Sequence, residues 1–219
     1  MQGWASFIAA FVVFFLSHSI PVRPPVRAAL VRRLGPTGFT LAYSTLSLTV
    51  LAWLIVAAGR APYVPLWSWA PWQNTVVLIV MAAACLLLAT AIGRPNPFSF
   101  GGARKDPFDP DTPGIVGLCR HPLLVALALW AFAHILPNGN LAHVILFAVF
   151  GGFAVLGQWI IDRRKQKQMG GDWAKLWAQT RQVPRRLAGI TLRRCIAAVV
   201  LWVSLIALHP LVFGVSPLP

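Results

Sequence analysis

Hydrophobic residues along this chain gather into six long runs, at 4–20, 39–59, 75–93, 122–136, 141–161 and 195–215, and the polar residues gather between them. Most runs are long enough to cross the hydrocarbon core of a bilayer as helices. The first and fourth are short for a full crossing and are expected to extend into their flanks, the fourth over 118–136. Open sheet edges are not viable in lipid, so the pattern predicts helices. The expected fold is an all-α integral membrane protein with about six transmembrane helices, spanning 4–20, 39–59, 75–93, 118–136, 141–161 and 195–215. They form one bundle and a single domain over 1–219, without internal repeats.

Composition strengthens this picture. Of the 219 residues 58% are hydrophobic and only 11% charged. A soluble domain carries about 25% charged residues. The mean hydropathy is +0.70. The charges then orient the bundle. Arg23, Arg27, Arg32 and Arg33 follow the first run, and Arg94, Arg104, Lys105 and Arg120 lie between the third and fourth. Ten more, from Arg163 to Arg194, lie between the fifth and sixth. Of the 19 basic residues only Arg60 falls on the other side. The positive-inside rule therefore places these loops in the cytoplasm and both termini outside, in the periplasm for a bacterial inner membrane. The net charge of +14 is explained by this orientation and by anionic membrane lipids, so no nucleic-acid partner is expected. The first cation, Arg23, follows the first apolar run, unlike a secretory signal. Cys85, Cys119 and Cys195 lack metal-like spacing and are not expected to form disulfides.

Between the runs, PVRPPVR at 21–27 ends the first helix, because prolines remove donors and disfavour helix before them. The outer loop at 63–73 carries Trp67, Trp69 and Trp72, which read as an aromatic belt at the headgroups. The loop at 94–114, rich in Pro, Gly and Asp, reads as turns. The segment at 172–181 places Trp173, Leu176 and Trp177 at i, i+3 and i+4. It is either an amphipathic helix on the inner leaflet or a lid across the mouth of the bundle.

The chemistry rests on five histidines, His18, His121, His134, His143 and His209, all in or beside the apolar runs. Polar groups at membrane depth are costly and tend to mark function. The runs hold no carboxylate for a proton relay, and zinc-like local spacing is absent. Imidazoles from separate helices suit a haem held inside a bundle. On one helix His121 and His134 stand roughly 20 Å apart along the axis, too far to serve one compact site. Depth matching pairs His134 with His209, or His18 with His121.

Several segments together resemble one family: FFLSHS around His18, RHPLLVALALWAFAHILPNGN from Arg120 to Asn140, the triplet Asp162-Arg163-Arg164, and ALHPLVF around His209. In this order they resemble the NnrU family of bacteria, associated with denitrification and nitric oxide metabolism, and its zeta-carotene isomerase (Z-ISO) branch. The resemblance implies haem b, with His134 and His18 as iron ligands, whereas depth matching offers His209 as the alternative partner of His134. It implies redox chemistry on an apolar substrate such as a carotene, including cis–trans isomerisation by a haem-dependent isomerase, or on nitric oxide. The isomerase branch has a cysteine one turn before the second histidine of the long segment. Here that residue is Ala131, so the same ligand switch cannot operate.

Arg-His-Pro opening a span also resembles membrane methyltransferases of the isoprenylcysteine type. In those enzymes the motif helps hold S-adenosylmethionine at the cytoplasmic face, near which Arg120, His121 and Asp162 fall here, and Arg120 would clasp a carboxylate of such a cofactor or of a haem propionate. A third possibility is a non-catalytic component that senses haem or nitric oxide, or assists assembly. Trp130 and Phe132 are candidate pocket walls beside His134.

Overall fold

The computed structural model describes residues 2–100, 107–182 and 190–219. Arg104, Lys105, Asp106, Arg185 and Arg186 lie outside the described residues. Seven α-helices account for most of the described chain: α1 (Gln2–Ser19), α2 (Pro24–Arg60), α3 (Pro71–Ala91), α4 (Pro122–Ile135), α5 (Leu141–Met169), α6 (Gly171–Thr180) and α7 (Leu192–Phe213). A short 3₁₀ turn, Gly114–Gly117, precedes α4.

Four helices, α2, α3, α5 and α7, are long and apolar enough to cross a membrane, and α1 and α4 are shorter apolar helices. The surface of α7 shows what solvent these helices meet. Leu192, Val199, Val200, Leu211 and Val212 all point outward, leaving an apolar exterior that only lipid tolerates. The protein is a helical membrane protein.

Helix boundaries follow local chemistry. The helix α1 stops at Ser19 before the proline-rich stretch, as expected. Beyond it, Pro24 and Pro25 open α2. Proline is well suited to the first turn, where its missing N–H has no partner to lose. The helix is then broken at Gly35 (φ 72°, ψ 167°), a conformation open to glycine, with Pro36 following. At the fourth run, expected as a span over 118–136, the helix itself is shorter. Leu118 closes the 3₁₀ turn, His121 is non-helical (φ −120°, ψ 58°), and the helix begins only at Pro122.

The chain forms two compact units. Unit 1 comprises 1–66 and 140–146, and in it α1 packs along α2. The backbone N–H of Leu141 bonds Val64 O at 2.9 Å, joining the start of α5 to the segment after α2. Unit 2 comprises 67–139 and 147–219, and in it α3 packs against α4 and α7. Leu124 and Ala128 of α4 meet Ala154 of α5, with Leu127 and Ile161 around them. Arg194 at the start of α7 donates to Ala89 O and Ile92 O at 2.8 and 2.9 Å. It thereby caps the orphan carbonyls at the end of α3 and complements its dipole.

The loop tryptophans of unit 2 differ from a simple aromatic belt. The indole N–H of Trp67 donates to Leu136 O at 2.8 Å, capping α4, and that of Trp69 donates to Asn74 Oδ1 at 3.1 Å. Both polar edges are spent on protein groups rather than on headgroups.

Candidate functional site

Two groups of candidate residues fall in unit 2. The first assembles where α4 begins and the apolar part of α5 ends. Asp162 receives Arg120 in a two-pronged bond, Nε to Oδ1 at 3.1 Å and Nη2 to Oδ2 at 2.6 Å. The His121 Nε2–H donates to Asp162 Oδ1 at 3.0 Å, and Ser99 Oγ donates to His121 Nδ1, also at 3.0 Å. A neutral imidazole, one nitrogen donating and one accepting, satisfies both contacts. Ser99 is placed by Asn96, whose Oδ1 accepts the backbone N–H groups of Phe98 and Ser99. The amide of Asn96 also donates to Arg120 O at 2.9 Å. The turn that holds Ser99 is thus pinned to the residue beside His121.

Above this cluster lies α6. Its inward residues are Trp173, Leu176, Trp177 and Thr180, the i, i+3, i+4, i+7 stripe of an amphipathic helix. The rings of Trp173 and Trp177 stand 5.3 and 4.8 Å from the Arg120 guanidinium carbon. They stand 6.0 and 5.3 Å from the ring of Phe98, edge-on. Within unit 2, α6 thus lies over Arg120 and Phe98 in the manner of a lid.

Burial holds His121, which precedes α4, below the ordinary imidazole range, while Asp162 pulls in the opposite direction. In the unfolded chain the ring protonates near pH 6.5, and in the folded chain only at lower pH. The unfolded state therefore binds more protons in this window. The contribution of the neutral ring is complete above about pH 6.5 and is lost as pH falls through the folded value. The unfolding temperature in detergent should accordingly fall more steeply between pH 7 and 5 for the wild type than for His121→Gln. Parallel slopes would show that the ring has no part in the acid sensitivity.

The second group surrounds His134 near the end of α4. Its Nδ1–H donates to Trp130 O at 2.7 Å. Among the described residues its Nε2 has no hydrogen-bond partner. Its ring lies 5.5 Å from that of Trp130 and 5.4 Å from that of Phe147. Phe150 packs on Trp130 from the same helix as Phe147. His209 repeats the pattern, with Nδ1–H donating to Val215 O at 2.8 Å.

The other histidines are in unit 1. His18 uses Nδ1 on Phe14 O at 2.8 Å and stacks on Phe14. Tyr43 reaches its backbone carbonyl at 3.4 Å. His143 turns its Nδ1 to the Asn140 amide at 3.3 Å. The structure therefore joins Arg120 with His121 and sets His134 and His209 in the same unit.

Trp130 does line the surroundings of His134. Phe132 instead packs over Gly151, where an added Cβ would stand 2.6 Å from its ring. Ala131 is fully buried. Sequence reasoning missed Ser99 and Asn96 altogether. The one available signal was the asparagine between two prolines in RPNPFSF, a turn former whose side chain bonds its own backbone.

An apolar groove of about 360 Å³ opens between α3 and α4, lined by Val76, Val80, Val125, Leu129, Phe132 and, from α5, Gln158. His134 is two residues beyond Phe132, about 200° around the helix, and so lies on the far side of α4 from this groove.

No curated protein and no solved structure matches the chain. A family model described as NnrU protein does, over residues 6–217. That match covers nearly the whole sequence, both histidine groups included, and the chain belongs to the NnrU family.

Proposed function

We propose that this chain is a haem b-binding protein of the bacterial inner membrane, with Nε2 of His134 as an axial ligand. The observation that carries this reading is the Nδ1–H of His134 on the Trp130 carbonyl. A metal-ligating histidine characteristically donates its second ring N–H to a carbonyl or carboxylate, which fixes the tautomer and strengthens the ligating nitrogen. Here that arrangement leaves the Nε2 lone pair available in an aromatic surrounding. Among the described residues no three His, Cys, Asp or Glu side chains gather as a metal cluster. An iron already held by a macrocycle needs only one or two protein ligands, so the donor set fits haem better than a bare ion. His209 is the preferred partner, since it shares the unit and the Nδ1 arrangement. His18, the partner implied by the family resemblance, shares the arrangement only.

When bound, haem b would supply a redox-active iron able to take a small ligand. The chain's own residues fix the His134 ring through Trp130 O and exclude water with Trp130, Phe147 and Phe150. The apolar groove suits a lipid-soluble molecule such as a polyene. Its position across α4 from His134 speaks for nitric oxide rather than a carotene as the molecule met at the iron. The methyltransferase reading has less support, because Arg120 already spends Nε and Nη2 on Asp162. For topology we favour six spans with both termini outside, α1 and α4 crossing where the bilayer is thinned around them.

The test is an absorption spectrum of the detergent-purified protein, oxidised and reduced, with pyridine haemochrome quantitation. The expected result is one b-type haem per chain, lost in His134→Ala. Loss of the low-spin spectrum in His209→Ala, with His18→Ala unchanged, identifies the partner, and the reverse transfers it to His18. A folded, colourless protein from haem-replete cells overturns the reading. Nitric oxide binding without turnover would assign the protein to sensing or assembly.

A further inference from the structure

We propose that the contact between α6 and the Arg120–Asp162 pair opens to bind an oxyanion, a phosphate or carboxylate group, with Arg120 Nη1 and Trp173 Nε1 as its donors. The inference stands apart from the haem reading and starts from an orphan. Trp173 Nε1 is buried and has no hydrogen-bond partner among the described residues. A buried N–H left unpaired costs about 1–3 kcal/mol, so a native structure that retains one calls for an acceptor. The indole stands over the Arg120 guanidinium, at 5.3 Å from its central carbon. Arg120 uses Nε and Nη2 on Asp162, and among the described residues its Nη1 has no partner. Two unspent donors on side chains in contact with each other point to an acceptor group between them.

Charge points the same way. Asp162 balances Arg120, but Arg163, Arg164, Lys165 and Lys167 follow it directly, against one further acid, Asp172, in the α5–α6 region. This local excess of cations favours an anion over a neutral carbonyl. The lid also has the means to admit one. At Gly170 (φ 58°, ψ −135°) the chain passes from α5 to α6 in a conformation that side chains resist. A turn there lets α6 lift while α5 stays in place. A lipid headgroup and a soluble phosphate offer the same oxygens.

Trp173→Phe tests the proposal, because it deletes the N–H and keeps the ring over Arg120 and Phe98. The detergent-solubilised wild type is titrated with inorganic phosphate, following the unfolding temperature and deuterium uptake over Gly171–Thr180. In parallel, nanodiscs of phosphatidylglycerol are compared with nanodiscs of phosphatidylcholine. The expected result is a rise in unfolding temperature with reduced uptake over α6, and phosphate affinity about tenfold weaker in Trp173→Phe, the loss of one charge-assisted bond. A response to phosphate in detergent assigns a soluble oxyanion, and a response only to phosphatidylglycerol assigns a lipid headgroup. If neither arm responds, or if Trp173→Phe responds like the wild type, the site does not exist.

Discussion

Asp162→Asn should lower the stability of the protein by about 3 kcal/mol, the largest loss expected from one side chain in unit 2. The substitution keeps the volume and removes the charge that Arg120 and His121 both address. Breaking a buried ion pair costs about 3–5 kcal/mol, chiefly because the surviving charge has nowhere to go. The side chains of Arg120 and Asp162 are 28% and 16% exposed, which argues for the lower end of that range. Asparagine can still accept one bond but cannot compensate the guanidinium. Arg120 must then turn outward past Trp173 and Trp177, so α6 should loosen as well. Denaturant titration in a fixed detergent, with tryptophan fluorescence as the signal, reads both effects. A loss below about 1 kcal/mol would place the pair among ordinary surface bridges.

Gly139→Ala comes next, at about 2 kcal/mol, the usual cost of overpacking a site that cannot relax. An added Cβ at this buried glycine would overlap the Trp67 carbonyl oxygen and crowd its indole. The obstacle is backbone, so no rotamer change relieves it. Movement of Trp67 breaks its bond to Leu136 O and uncaps α4 a few residues beyond His134. The unfolding midpoint of Gly139→Ala should therefore fall, and Trp67→Phe, which loses only the cap, should fall by less. Equal loss in the two variants would show that the cap, not the close approach, is what Gly139 protects.

Hydropathy made most of the helices legible. The runs at 75–93 and 195–215 correspond to α3 and α7 within a few residues, since burial in lipid imposes a length and little else. What escaped depends on proline and on distance. Pro24 and Pro25 read as breakers, yet at a helix start their fixed φ is an advantage, and only the structure says on which side of them the helix lies. The Arg-His-Pro motif was visible, but the partners of His121 are not. Ser99 and Asp162 lie 22 and 41 residues away, and no periodicity connects them. The stripe in α6 announced an apolar face without naming its counterpart. Phe98 and Arg120 supply it, and neither belongs to the stripe. For His134 the sequence located the nitrogen, whereas its tautomer depends on a carbonyl one turn back.

The separation of Arg120 from Asp162 also sets a schedule for biogenesis. The two are 42 positions apart, so at about 5–20 residues per second the arginine waits roughly 2–8 s for its carboxylate. During that interval α4 and the first part of α5 leave the ribosome with a cation at their border and no acid to meet it. A chain truncated within α5 keeps that defect permanently. Such products give the membrane's quality-control proteases a ready mark, and a pause placed ahead of codon 162 would lengthen the exposure in proportion.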